Sequence, residues 1–295
     1  MPGPGDAPRP PRLPASPGVA RSICLLGVAV ALLGTATSAS AQSGGTPVPG
    51  PGDPCPAGYP GDDAARAPVA RWMARGAALR DVPQELPVMA GLAESGLRNL
   101  HKRGNPFAGY FSMHSSLNRG DYRGFKRDPE LQLRWFLDTA VTVRQREIAE
   151  GDADYGADTD GFGLWIADVE RPAPENRDGY QPYFDDADGL LTESCRPSAH
   201  TPDQTPPALR VTAAARQRDS ITVRARCPRE ACMVAAQAEP RRRVRAAPAV
   251  ASAGEAVTLT LPARARRSVR LVLTVTAVDE SGNATRAEKR VTLLR

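Results

Sequence analysis

Histidine is scarce. The 295 residues hold three, His101, His114 and His200, far apart. None pairs with a cysteine at ligand spacing, so the sequence writes no zinc site, and neither a metal nor a cofactor is expected. Aromatic residues reach only 5%. No apolar run approaches the ~20 residues of a membrane-spanning helix, which excludes a multi-pass membrane protein. Against these lacks stand 29 Pro and 26 Gly, gathered at the N-terminus and in two linkers. With 41% apolar and 24% charged residues, the chain is not wholly disordered. Its length suits a leader and two domains.

Arg9, Arg12 and Arg21 precede a short apolar stretch, residues 23–33, and small residues follow up to Ala39-Ser40-Ala41. That order describes a secretory signal, residues 1–41, cleaved after Ala41. An uncleaved anchor is the alternative. Cleavage would remove Cys24 and leave Cys55, Cys195, Cys227 and Cys232. An even count in an exported chain favours disulfides. Cys227 and Cys232 close a local loop between strand-like flanks, which leaves Cys55 to clasp Cys195 across the acidic region.

The charge is uneven. Residues 42–206 carry 17 Lys and Arg against 25 Asp and Glu, whereas residues 207–295 carry 18 against 7. Two domains with different work are expected, the second attracting an anionic partner.

Residues 42–60 read as a Pro/Gly-rich disordered lead-in. Residues 61–195 then follow a helical period. Val69, Trp72, Met73, Gly76 and Leu79 share one face, and Leu86, Met89, Ala90, Ala93 and Leu97 share the next. Asp128-Pro129-Glu130 is an N-cap followed by a first turn, and Gly151 ends that helix. A fourth helix is expected from Phe162 to Glu170 and a last from about Tyr180 to Leu190. Asp152-Ala-Asp-Tyr-Gly-Ala-Asp-Thr-Asp-Gly161 invites a calcium reading. Aligned on Asp160-Gly161, however, it puts Gly156 and Ala167 at the outer ligand positions. A solvated acidic loop is expected, with Asp160 capping the next helix. Residues 196–207 form a Pro-rich linker. From residue 208 the period falls to two, and Asp279-Glu-Ser-Gly-Asn283 joins two long strands, so an all-β sandwich is expected over 208–295.

The segment that carries chemistry is residues 88–99, Val-Met-Ala-Gly-Leu-Ala-Glu94-Ser95-Gly96-Leu-Arg-Asn, followed by Gly109-Tyr110-Phe111-Ser112-Met113. Glu94 ends an apolar helix. The partial negative charge at that end and the apolar neighbours both disfavour a carboxylate. A carboxylic acid held protonated is what protonation of a glycosidic oxygen requires. Ser95 is expected to orient it, and Gly96 to let the chain leave the helix.

Over about residues 62–190, these two motifs in this order resemble the lysozyme-like superfamily, in particular soluble lytic transglycosylases and goose-type lysozymes. The resemblance implies a helix-dominated, lysozyme-like (α+β) domain with Glu94 as the sole acid/base. It implies cleavage between N-acetylmuramic acid and N-acetylglucosamine, with the sugar's 6-hydroxyl closing onto C1. Ser112 stands where the family has Gln. Ser95, Tyr110, Phe111, Ser112, Met113, Trp165, Asp168 and Glu170 are the expected substrate-binding residues, with Tyr180 a further stacking candidate. Asp121, Asp168 and Glu170 are the possible second carboxylates of a lysozyme-type hydrolase. A glycan-binding wall protein without catalysis is another reading.

Residues 275–285 resemble the closing hairpin of bacterial immunoglobulin-like or fibronectin-type domains. The expected protein is secreted or wall-bound. Its expected partners are peptidoglycan strands and, through the basic region, anionic wall polymers, with no nucleic acid and no membrane after leader cleavage.

Overall fold

Small and branched apolar residues at three- and four-residue steps set up five helices in the acidic half of the chain. The structure is a computed structural model, described for residues 55–101, 104–191, 195–196, 200–239, 244–263 and 267–294. The expected leader, residues 1–41, and residues 42–54 lie outside the described residues.

Helix α1 is Arg66–Ala78 and α2 is Glu85–Ser95. A small hairpin pairs β1, Phe107–Ala108, with β2, Met113–His114. Helix α3, Pro129–Glu150, begins where Asp128 accepts a 3.2 Å bond from the Leu131 amide, and ends at Gly151 with φ 118°. Helix α4, Phe162–Glu170, follows a turn capped by Asp158 rather than the expected Asp160. Asp158 reaches the amide two residues on, while Asp160 lies inside the turn. Helix α5 is Phe184–Leu190, shorter than expected because Gln181–Tyr183, which contains Pro182, forms a 3-10 turn before it.

These helices share one core in which Trp72, Met89, Phe111, Phe136 and Trp165 are buried. Phe111 stacks on Phe136 at 4.7 Å. Burying each such side chain contributes about 1.5–3 kcal/mol. Tyr59 belongs to the same packing, edge-on to Trp72 at 5.2 Å. The structureless lead-in therefore stops short of residue 60. The disulfide Cys55–Cys195, as expected, closes the region against Ala74 and Leu191.

Beyond it the regular elements among the described residues are strands. One sheet has three strands in the order β3 (Arg210–Ala213), β5 (Ser220–Arg226), β9 (Ala256–Pro262). The other has six. They run β4 (Arg216–Gln217), β11 (Ala284–Leu293), β10 (Val269–Val278), β6 (Cys232–Glu239) and β7 (Val244–Arg245), with β8 (Ala249–Ala251) also on β6. The pairs are antiparallel except β4 with β11. Alternation supplies one apolar face to each sheet. Ile221, Val223, Leu259 and Leu261 meet Val234, Leu273 and Val275 in a shared core. The second expected disulfide, Cys227–Cys232, joins the end of β5 to the start of β6 and is buried in that core.

The helical and strand regions belong to one compact unit, Thr46–Arg295. Ile148 and Ala149 of α3 pack on Ala235 and Val278. Buried Arg144 donates to the Asp81 carbonyl at 2.6 Å and to the Glu280 carbonyl, and Gln145 donates to the Val278 carbonyl at 3.3 Å. Asp81, at φ 51°, accepts from Arg196 and Ser281 at 2.9 Å each and from the Asp203 amide at 3.3 Å, with His200 Nε2 3.1 Å away. The expected 196–207 linker is thus strapped down at its described residues.

Candidate functional site

Helix α2 ends because Gly96 and Leu97 take left-handed φ values of 65° and 58°. Their amides return to the Leu92 and Gly91 carbonyls at 3.0 and 2.9 Å. Glu94 is left half-buried on the last turn. Tyr180, 5% exposed, donates its hydroxyl to Glu94 Oε1 at 2.7 Å. Burial and then that bond push the Tyr180 hydroxyl up, so it stays a donor.

Glu170 is the last residue of α4. Its Oε1 is enclosed and has no hydrogen-bond partner. Burial, and then the charge of Glu94, push the Glu170 carboxyl well above the usual carboxylate range. Each carboxyl stands at a helix C-terminus, whose partial negative charge works against a second anion, and the charge of Glu94 acts on Glu170. Of the expected residues, Glu94 and Glu170 are brought together. Tyr180, which the sequence offers as a stacking ring, instead orients Glu94.

The remaining expected residues fall elsewhere. Ser95 does not orient the acid: its hydroxyl donates to the Gly91 carbonyl at 2.9 Å and accepts from the Arg98 amide at 3.4 Å, which closes the helix end. Ser112, at φ 46°, donates to the backbone carbonyl of Glu94 at 3.2 Å and so ties the hairpin to α2. Phe111, Met113 and Trp165 are 0–1% exposed and cannot present a face to a sugar. Trp165 is held by its Nε1 bond to the Ala140 carbonyl at 3.1 Å. Tyr110, 1% exposed, meets Tyr59 hydroxyl to hydroxyl at 3.0 Å and packs against Trp72 with ring centroids 6.2 Å apart. Asp168 is occupied by Tyr155 at 2.8 Å and Arg177 at 2.6 Å. Asp121 lies in an exposed 3-10 turn.

A polar relay that sequence reasoning missed runs behind the hairpin. The Tyr110 amide donates to Gln132 Oε1 at 3.0 Å. Gln132, fully buried, donates to the Phe125 carbonyl at 2.9 Å and to Asn99 Oδ1 at 3.2 Å. Asn99 donates to Asp62 at 2.8 Å, and Tyr59 donates to the same carboxylate. These bonds hold Asp62 below the usual carboxylate range, that from Tyr59 most strongly. Gly109, at φ 83°, is required here, since a Cβ would stand 2.4 Å from Gln132 Oε1. Tyr59, Asp62 and Asn99 open on a cleft of about 680 Å³ with His101, Lys126 and Arg127 on its walls. Glu94 is not among the residues lining it.

Asp203, Glu230 and Asp279 bring carboxylate oxygens within 4.8 Å of one another. Asp279 already accepts the Asn283 amide and side chain at 2.9 and 3.0 Å, and burial above all raises both Asp279 and Glu230. The Asn283 bonds hold Asp279 within that cluster.

No protein-family model matches this chain, and no curated protein matches it. Among solved structures, a crystal structure of the YadV chaperone aligns at 16% identity with a TM-score of 0.25, over 29% of this chain and 51% of the chaperone. The chain thus spans about half the length of that structure, and likeness this low supports neither a fold nor an activity.

Proposed function

We propose that the chain is a peptidoglycan lytic transglycosylase, with a lysozyme-like helical domain followed by an immunoglobulin-like sandwich. The observation that carries this reading is the Glu94 carboxyl on the last turn of α2, bonded by Tyr180, together with Glu170, whose Oε1 is enclosed and whose carboxyl is pushed up by burial and by the charge of Glu94. The charge of Glu94 and the enclosure of Glu170 Oε1 both disfavour a second negative charge at Glu170. In the reactive form Glu94 carries the proton and gives it to the glycosidic oxygen as the C1–O bond breaks. As carboxylate it takes the proton of the sugar's 6-hydroxyl, whose oxygen bonds to C1. The product is a 1,6-anhydro sugar, and no water is consumed. The substrate's N-acetyl group stabilises C1 between the two steps, outside the two-carboxylate scheme. The two disulfides fit an oxidising, extracytoplasmic location.

Glu170 also favours a second reading, a lysozyme-type hydrolase that uses two carboxyls. Mass spectrometry of digested peptidoglycan separates the possibilities. Anhydro ends are the expected result, reducing ends indicate the hydrolase, and intact glycan indicates a binding protein.

A further inference from the structure

We propose that the outer face of the three-stranded sheet docks a linear phosphodiester polymer that carries no bases. Along β5, Ile221, Val223 and Ala225 turn into the core, which leaves Thr222, Arg224 and Arg226 exposed. The pairing register places Arg210 opposite Arg226, Thr212 and Thr258 on either side of Arg224, and Thr260 opposite Thr222. All of these are exposed. The result is one flat patch of three guanidiniums and four hydroxyls.

The residues absent from the patch narrow the partner. Strands β3, β5 and β9 contain no Asp or Glu and no aromatic residue. None of the three arginines makes an ion pair among the described residues, and Glu255, one residue before β9, pairs with none of them. Like charges directly opposite on a sheet destabilise it, so the Arg210–Arg226 pairing carries a cost that an external anion would offset. Its charge is complementary to an anion held outside the protein. Residues two apart on a strand are about 6.6 Å apart and neighbouring strands about 4.8 Å, which suits repeated single charges along a chain. Guanidinium forks bind phosphate oxygens in pairs, and hydroxyls donate to those between. Single-stranded nucleic acid is disfavoured, because its binding draws on aromatic stacking platforms that this face lacks.

This surface stands apart from the Glu94 chemistry, and Glu94→Gln should leave its binding unchanged. The test uses the full chain and labelled poly(glycerol phosphate), with duplex DNA and poly-glutamate as competitors, over a salt series. One variant combines Arg210→Thr, Arg224→Thr and Arg226→Thr, which keeps strand-forming residues in place. The control combines Arg270→Thr, Arg286→Thr and Arg290→Thr, exposed on the other sheet, where Glu288 shares the face. The first variant should weaken binding at least tenfold and lower the slope of log affinity against log salt by about 2, at roughly 0.7 per lost phosphate contact. The control, with equal charge removed and an unchanged melting temperature, should lose less than threefold. Equal losses in the two variants, no binding by the parent chain, or equally tight capture of DNA or poly-glutamate would each overturn the proposal.

Discussion

Glu94 and Glu170 do different work because their surroundings differ. Glu94 has the Tyr180 hydroxyl at 2.7 Å, whereas Glu170 has an enclosed oxygen with no donor. Glu94→Gln should keep the fold and glycan binding while cutting muropeptide release by about 10²–10⁴, the usual worth of general acid–base work. Near wild-type release from that variant would move the acid elsewhere. Tyr180→Phe removes one bond to a charged group, worth about 1.5–3 kcal/mol, and should slow release without unfolding the chain. Glu170 titrates against stability. Its folded form holds the proton more tightly than its unfolded form, so its contribution is complete below the ordinary carboxyl range, about pH 4.3, and is lost as pH rises toward the folded value. Glu170→Gln should flatten that decline in a melting-temperature profile. A slope identical to wild type would show that Glu170 is not held protonated.

Between elements, the hairpin and α3 meet through Gly109 and Gln132. Gly109→Ala combines an unfavourable φ of 83° with a Cβ 2.4 Å from Gln132 Oε1, and should cost about 1–3 kcal/mol, read from chemical denaturation. The limits of α3 and the turn between β10 and β11 were legible because their signals are local: Asp128-Pro129, Gly151 and Asp279–Asn283 stand beside the residues they govern. The Glu94 helix end was legible for the same reason. The relay was not, since Asn99 finds Asp62 37 residues back and Gln132 33 residues ahead. Nor does an aromatic side chain announce its direction. Tyr110, Phe111 and Trp165, expected at the substrate, are core, where Phe111 stacks on Phe136, Trp165 bonds the Ala140 carbonyl and Tyr110 packs with Tyr59 and Trp72. Tyr59 was hidden in a Pro/Gly-rich stretch whose composition outweighed one ring.

At the scale of the whole molecule, Asp81 gathers the helical region, the 196–207 segment and the β10–β11 turn. Burial pushes its carboxyl up, but the bonds from Arg196, His200 and Ser281 outweigh burial and hold it below the usual range. The stability it contributes is present above the ordinary carboxyl value and is lost as pH falls through the lower, folded value. Asp81→Asn should lower the melting temperature at neutral pH and shrink the loss seen on acidification. Hydrogen exchange should quicken first at the amides around Ser281. The clasp Cys55–Cys195 spans 140 residues, and opening it should cost about 2–4 kcal/mol. It also turns the helical region into a covalent ring. One cut by a protease anywhere between the two cysteines opens the ring without releasing a piece, and the disulfide-bonded halves still run as one species until a thiol is added. A chain built this way tolerates a first nick among proteases, where a linear chain of the same fold would shed a fragment.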